Sequence, residues 1–185
     1  RYTEGTLTIS AGIGVYHDSY PISAIAKEVE ELEDASKKLP GKNGVTLFVD
    51  GESHKIISEE GEQTVKDGTY SWKDLETKVV EEKLACIAAF FDVFADRGNA
   101  FLYHLLELIR NQGERINFAR YVYLLSRMEP DSGEDQAIKE EYQSFSRKMF
   151  QWIQKDEDRR QLKTAITIYV YLSREDGEGD NVENN

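Results

Sequence analysis

Cysteine and long apolar runs are scarce in this sequence, and each scarcity excludes a class of protein. A single cysteine among 185 residues excludes an internal disulfide and suits a reducing cytoplasm. Nowhere do the roughly 18 consecutive apolar residues of a membrane helix occur, and the opening RYTEGTLT lacks the apolar core of a secretory signal. It also lacks an initiator methionine. We therefore expect a cytoplasmic chain without a membrane partner, and we interpret it as a piece of a longer polypeptide.

Basic residues are in the minority. The chain has 23 lysines and arginines against 35 aspartates and glutamates, which gives a formal net charge of -12. A protein that captures nucleic acid over a broad surface needs a basic face. The charge balance therefore argues against such capture, although it leaves room for local contacts with phosphate.

The motifs of common enzyme classes are also missing. The sequence contains no CxxC, HExxH or GxSxG, and its three histidines are not spaced as metal ligands. The GKNG at 41–44 lacks the earlier glycine and the following Ser or Thr of a Walker A loop. Cys86 lies in the apolar run LACIAAFF, which predicts a buried structural thiol rather than a nucleophile.

The first pattern present is an alternation of apolar and small residues over 6–15, which predicts a strand. We expect the apolar face of this strand to be buried. The small face is either covered by another element or left open for a ligand. The apolar set is Leu7, Ile9, Ala11, Ile13 and Val15, and the small set is Thr6, Thr8, Ser10, Gly12 and Gly14.

A helix and a second strand follow. The helix is predicted from Pro21 to about Lys38, where the sequence Leu39-Pro40-Gly41 ends it. The second strand covers VTLFV at 45–49. Because a strand, a helix and a strand in this order form a crossover unit, the two strands should share one sheet. Residues 50–70 are polar, and we expect a connector with a short hairpin through KII and QTV.

After Trp72 the apolar residues recur with the spacing of an α-helix, and this spacing continues to about residue 173. Helices are predicted at 72–95, 99–112, 115–128, 134–154 and 158–173; TAITIYVYL in the last one is rich in β-branched residues and could instead be a strand. The predicted domains are therefore 1–70, an α/β layer, and 71–173, a helical bundle. Residues 174–185 are acidic and are predicted to be a disordered tail.

Three lysines surround the Pro-Gly turn between the first helix and the second strand. On a helical wheel Lys38 points to solvent, whereas Lys37 lies at the edge of the apolar arc, four residues after Glu33. Taken alone, these positions favour stabilisation of the helix C-terminus over phosphate binding. Lys42 is best interpreted as a turn residue.

Several segments together resemble a known family. The runs TLTISAGIG, YPISAIAKEVEELEDASK and GKNGVTLF resemble the second half of a nucleotide-cyclase palm of the GGDEF type. Their SAGIG core, Tyr-Pro-Ile helix start and GKN turn are most similar to the large subunit of type III-A (Csm-type) CRISPR interference complexes. FLYHLLEL and INFARYVYLLSRMEP resemble that subunit's C-terminal helical domain. The resemblance covers roughly 6–172 and implies an α+β fold: the rear half of a ferredoxin-like palm (β-α-β) followed by a helical bundle.

The resemblance implies an antiviral nucleotidyltransferase that converts ATP into cyclic oligoadenylate when target RNA is bound. Its divalent metal, Mg²⁺ or Mn²⁺, is held by an acidic hairpin that this chain does not contain, so no catalytic residue is assigned here. Lys37 matches the family's Ala-Lys lysine, with Ser36 in place of Ala, and is expected to contact the triphosphate. Ser10 is expected to contact the nucleotide, with Ala11 and Gly12 as backbone neighbours, while Lys42 matches the turn.

The implied partners are the remainder of the large subunit, other subunits of the CRISPR ribonucleoprotein, guide RNA and target RNA. In the helical domain the candidates for RNA or subunit contact are Arg115, Arg120 and Arg127. The alternative to an ATP-binding enzyme part is a non-catalytic scaffold with a structural palm. A diguanylate cyclase is less favoured, because such palms usually end soon after the last strand.

Overall fold

A computed structural model describes residues 7–48, 53–58, 61–94, 100–110 and 115–178. The chain forms two compact units, Arg1–Thr77 and Lys78–Asn185. The domain ranges predicted from the sequence stay predictions. Among the described residues, no helix has the length and apolar character needed to cross a membrane.

The first unit is built on a β-α-β core. Its strands β1 (Ser10–Ile13) and β2 (Gly44–Leu47) are parallel and directly paired, with Ser10 opposite Gly44, which confirms the predicted crossover. A third strand, β5 (Thr69–Ser71), pairs antiparallel with the other edge of β2, so the strand order is β1-β2-β5. A split β-α-β of the ferredoxin type would have another strand between the parallel pair; this feature is not present in the described residues. The elements are β1 (Ser10–Ile13), α1 (Ile22–Ser36), a 3₁₀ turn (Pro40–Lys42), β2 (Gly44–Leu47), β3 (Ser53–Ser58), β4 (Gly61–Lys66) and β5 (Thr69–Ser71).

The predicted hairpin through KII and QTV is confirmed as the antiparallel pair β3–β4. Its strand β4, in which Val65 is buried, lies against α1, and Lys66 Nζ lies 3.3 Å from Glu31 Oε2 of that helix. At its base, His54 Nδ1 lies 2.8 Å from Asp67 Oδ1, and both side chains are largely buried. The Lys66–Glu31 pair thus joins the hairpin to the helix, whereas the His54–Asp67 pair joins the two ends of the hairpin to each other.

The apolar face of the first strand was predicted to be buried and is instead exposed, whereas the small face is covered by another element, which is one of the two alternatives predicted for it. A Cβ added at Gly12 would lie 2.6 Å from both the carbonyl oxygen of Val29 and the amide nitrogen of Glu33, so α1 covers the small face. The apolar face is open, with Leu7 75% and Ile9 67% exposed. The alternation correctly predicts which residues share a face, but it does not say which face the helix covers, and only the small face permits such close approach.

The second unit is helical, as predicted, and TAITIYVYL is helix rather than strand. α7 continues to Glu178, so the first five residues of the predicted disordered tail, 174–178, are helical, and 179–185 lie outside the described residues. The helical stretch begins in the first unit, where Ser71 Oγ accepts a hydrogen bond from the Asp74 amide. The helices are α2 (Trp72–Asp74), a π-helical segment (Leu75–Leu84), α3 (Ala85–Val93), α4 (Ala100–Arg110), α5 (Arg115–Ser126), α6 (Gln136–Gln154) and α7 (Asp156–Glu178).

The core of the helical unit contains both aliphatic and aromatic side chains. The rings of Phe90 and Phe145 stack with centroids 3.8 Å apart. Tyr121 is fully buried and donates a hydrogen bond to the carbonyl of Met149; burial raises the pKa of its hydroxyl. Cys86 is half-buried, and burial raises the pKa of its thiol, so the neutral form is favoured and the prediction of a structural thiol is supported.

One charged side chain lies wholly inside this unit. Lys83 has no exposed surface, and its Nζ lies 2.9 Å from Gln161 Oε1 and 3.1 Å from Asp158 Oδ1. The same ammonium lies 5.1 Å from the centroid of the Trp152 ring, whose Nε1 donates to Glu82 Oε1. A buried ammonium is tolerated because these groups replace its lost hydration.

We expect Gly12→Ala to lower the stability of the chain by about 1–3 kcal/mol, because the new methyl group overlaps backbone atoms of α1 that cannot move independently. Thermal unfolding monitored by circular dichroism measures the loss. Gly133→Ala is the matched control, since nothing lies within 4 Å of its added Cβ. An unchanged unfolding midpoint for Gly12→Ala would contradict the close packing.

We expect Lys83→Ala to cost about 2–4 kcal/mol, because it removes a buried packing volume and leaves Asp158 and Gln161 without their partner. Urea unfolding gives the free energy. Lys148→Ala, at an exposed position on α6, should change it by less than about 0.5 kcal/mol. Equal effects of the two substitutions would contradict a structural role for the Lys83 network.

Candidate functional site

The three lysines around the Pro-Gly turn share one cleft in the first unit. Lys37, Lys38 and Lys42 all line a cavity of about 1280 Å³, together with Thr8 and the hairpin β3–β4. The sequence pattern assigned them three different environments. The structure brings them together, because α1 ends and the 3₁₀ turn begins at the same edge of the sheet.

The backbone of the turn is held in a fixed conformation. Gly41 and Lys42 both have positive φ angles, 74° and 50°, and such a conformation is unfavourable for a lysine unless its surroundings enforce it. Ser10 Oγ donates a hydrogen bond of 2.8 Å to the carbonyl oxygen of Lys42. Ser10 therefore ties β1 to the turn and helps to hold Lys42 at the cleft.

The three lysines differ in whether a carboxylate lies next to the ammonium group. Lys37 Nζ lies 3.1 Å from Glu33 Oε1 and 3.2 Å from Asp34 Oδ1, which confirms the predicted pair with Glu33. The hydrogen bonds to these carboxylates raise the pKa of Lys37. Within the described part of the chain, neither Lys38 nor Lys42 forms an ion pair. Two of the three positive charges thus have no counter-charge among the residues that the structure describes.

The other predicted nucleotide contacts lie elsewhere. Ser10 is used by the turn, Ala11 is half-buried in β1, and Gly12 faces α1. None of these three is among the residues that line the lysine cleft. Gly12 lies where backbone atoms of α1 approach the strand, and the nucleotide contacts of Ser10, Ala11 and Gly12 stay predictions.

The structure confirms Lys42 as a turn residue and also places it at the lysine cleft, which the sequence did not predict. Its position in a turn is typical of a solvated lysine, and the hydrogen bond from Ser10 joins residues 32 positions apart. A local pattern cannot reveal such a contact. The short spacing of Lys37, Lys38 and Lys42 along the chain could have indicated that they lie close together, since a helix end and the turn that follows it are neighbours in space.

A second site, in the helical unit, brings two of the predicted arginines together. Arg120 and Arg127 line a groove of about 390 Å³ between α4 and α5. The exposed ring of Tyr123 lies between them along the helix, and His104 and Glu107 of α4 line the other side. Arg115 is the first residue of α5, but its side chain lies outside the described residues.

The chemistry of the lysine cleft fits a polyanion. Ammonium groups are donors and point charges, which suit phosphate oxygens and not a metal ion. No cluster of three or more His, Cys, Asp or Glu side chains that could hold a metal occurs in the described ranges. The residues that line the cleft therefore fit the phosphates of a nucleotide.

Comparison with known proteins identifies the class of both units. Residues 1–46 match the family model for the second palm domain of Cas10/Cmr2. Residues 88–175 match the model for the second helical domain of the Cmr2 subunit of the CRISPR RNA silencing complex. The two matched ranges thus resemble a palm domain and a helical domain of CRISPR proteins. The hairpin β3–β4 lies in neither matched range.

Three similar proteins show which family of CRISPR proteins this is. Each is described as a CRISPR system single-strand-specific deoxyribonuclease, Cas10/Csm1, of subtype III-A. The protein of Mycobacterium tuberculosis is 43% identical over 95% of this chain, and those of Streptococcus thermophilus and Enterococcus italicus are each 34% identical over 95%. The chain belongs to the Cas10/Csm1 family of subtype III-A CRISPR systems, as the sequence resemblance predicted, and corresponds to a C-terminal portion of that subunit. It spans only 19–21% of the length of these relatives.

Proposed function

We propose that this chain supplies the triphosphate-binding part of an ATP site used for cyclic oligoadenylate synthesis by a type III-A CRISPR large subunit. The observation that carries the proposal is the convergence of Lys37, Lys38 and Lys42 on one cleft. In this proposal the cleft holds the phosphates of ATP, and the three ammonium groups neutralise their charge.

The lysines are suited to positioning rather than to bond making. The attack of a ribose hydroxyl on an α-phosphate requires the phosphates to be held in line and their charge to be neutralised. A divalent metal, Mg²⁺ or Mn²⁺, held by residues outside this chain would polarise the reacting oxygens. Lys37, Lys38 and Lys42 would fix the triphosphate so that its α-phosphorus faces that chemistry.

The three lysines would contribute unequally. A triphosphate at Lys37 competes with the carboxylates of Glu33 and Asp34, which already hold that ammonium. Lys38 and Lys42 have no such competitor among the described residues. We therefore assign the larger share of phosphate binding to Lys38 and Lys42, with Lys37 oriented by its carboxylates.

A second role, in docking, belongs to the helical unit. We propose that Arg120, Tyr123 and Arg127 contact the guide RNA or target RNA of the complex, since arginines bind phosphates and an exposed tyrosine offers a stacking surface. Small helical subunits and the remainder of the large subunit are the other proposed partners. The relatives are named for action on single-stranded DNA, and a single-stranded polynucleotide is the ligand class this surface fits. The alternative function is a non-catalytic scaffold whose palm is structural.

We expect Lys42→Gln in the complete large subunit, assembled in its complex, to raise the KM for ATP about ten-fold or more, because one charge-assisted contact is lost. Lys37→Gln should have a smaller effect. Oligoadenylate production at limiting ATP, with and without target RNA, measures both. Lys27→Gln, an exposed lysine earlier on α1, is the control.

Affinity for target RNA should be unchanged in these variants, because the altered residues lie at the ATP cleft. A KM for ATP that matches the Lys27→Gln control in both variants would contradict the phosphate assignment. Absence of any ATP turnover by the parent complex, with target RNA bound, would favour the scaffold.

We expect the double substitution Arg120→Gln and Arg127→Gln to weaken RNA binding by the assembled complex and to reduce its dependence on salt, because two phosphate contacts are removed. Binding measured by fluorescence anisotropy at several salt concentrations gives both quantities. Arg147→Gln on α6 is the exposed control. Normal RNA affinity, or loss of a protein subunit from the complex instead, would contradict the RNA assignment.

A further inference from the structure

The groove between α4 and α5 is lined by both basic and acidic side chains. Arg120, Tyr123 and Arg127 follow one another on α5 at helical spacing, so they share one face of that helix. On α4, His104 and Glu107 are one turn apart and line the opposite side. The groove therefore has cations along one wall and a carboxylate in the other.

Glu107 is unfavourable in a groove that binds phosphates alone. Its side chain is exposed, and within the described ranges it forms no ion pair. An ionised carboxylate repels phosphate oxygens, and it accepts hydrogen bonds without donating any. A ligand that fills the whole groove must therefore bring N–H donors to Glu107 as well as phosphates to the arginines.

Single-stranded RNA carries both kinds of group. Its backbone supplies phosphates, and its unstacked bases expose the edges that would otherwise form base pairs. On this edge guanine has two adjacent donors, N1–H and N2–H, which match the two oxygens of a carboxylate. In adenine, cytosine and uracil, an N–H donor lies next to the lone pair of a ring nitrogen or a carbonyl oxygen, which a carboxylate repels. Guanine is therefore the base that Glu107 fits.

We propose that this groove holds one unstacked guanosine of a single-stranded RNA, with Glu107 accepting hydrogen bonds from N1–H and N2–H of the base. This inference rests on the proposed RNA contact and adds Glu107 as the residue that determines base specificity. The ring of Tyr123, which is 64% exposed, stacks on the base, and Arg120 and Arg127 bind the flanking phosphates. The groove volume of about 390 Å³ is at the small end of the range for ligand pockets, about 300–1,000 Å³, which suits one nucleotide rather than several.

The test measures base preference, which contacts to phosphate alone do not produce. The ligands are heptanucleotide RNAs that have guanosine, adenosine, cytidine or uridine at the centre and uridine elsewhere. Their dissociation constants for the complete large subunit are measured by fluorescence anisotropy. We expect the RNA with guanosine to bind about five-fold or more tightly than the other three, because it alone forms a bidentate pair with the carboxylate.

Substitution of the carboxylate should remove this preference. We expect Glu107→Ala to bind the RNA with guanosine no more tightly than the RNA with uridine, and to leave the affinity for the latter undiminished. Glu81→Ala is the matched control, because Glu81 is exposed on the π-helical segment and does not line the groove. It should retain the full preference for guanosine.

Two outcomes would overturn the inference. One is equal affinity of the unsubstituted large subunit for all four RNAs. The other is a preference for guanosine that is as large in Glu107→Ala as in Glu81→Ala. The proposed RNA contact fails by a different result, namely that the double substitution Arg120→Gln and Arg127→Gln leaves the affinity for every one of these RNAs unchanged.

Discussion

The close contact between Gly12 and α1 determines where the chemistry of the first unit lies. Because no side chain separates the strand from the helix backbone, α1 packs directly on β1 through Val29 and Glu33. That packing fixes the position of the last turn of the helix, and with it Lys37 and Lys38. Ser10, two residues before Gly12 on the same face, then holds the carbonyl of Lys42. One small strand face thus positions all three lysines.

The lysines at the end of α1 can stabilise the helix and also bind a phosphate. A helix C-terminus carries partial negative charge, so cations in its last turn are stabilised even without a ligand. The carboxylates of Glu33 and Asp34 reduce the repulsion further at Lys37. A cluster of like charges is therefore tolerated at this end of the helix at modest cost. Helix stabilisation and phosphate binding require the same residues, so the two roles do not exclude each other.

Much of this fold could be predicted from the sequence, since its period changes from two to helical where the units change, and strand, helix and strand in succession imply a parallel pair. Which face of β1 the helix covers could not be predicted, because the alternation of apolar and small residues distinguishes two faces without saying which one is buried. The strand β5 has only three residues, too few to show a period. For the site, Lys37 was predictable from the helical wheel and the family resemblance, whereas the place of Lys42 depends on its contact with Ser10.

The charged groups of the lysine cleft are suited to binding a nucleotide and not to catalysing its reaction. Ammonium groups on a helix end and a turn neutralise phosphate and hold it in one orientation, but they do not activate a ribose hydroxyl as a metal ion does. A site with only these groups would bind nucleotide without turning it over. The chain spans about a fifth of its relatives, so lysines here and metal ligands in the remainder of a large subunit would divide one reaction between two parts of a polypeptide. In such a site the lysine variants change the affinity for ATP, while loss of the metal ligands abolishes the chemical step.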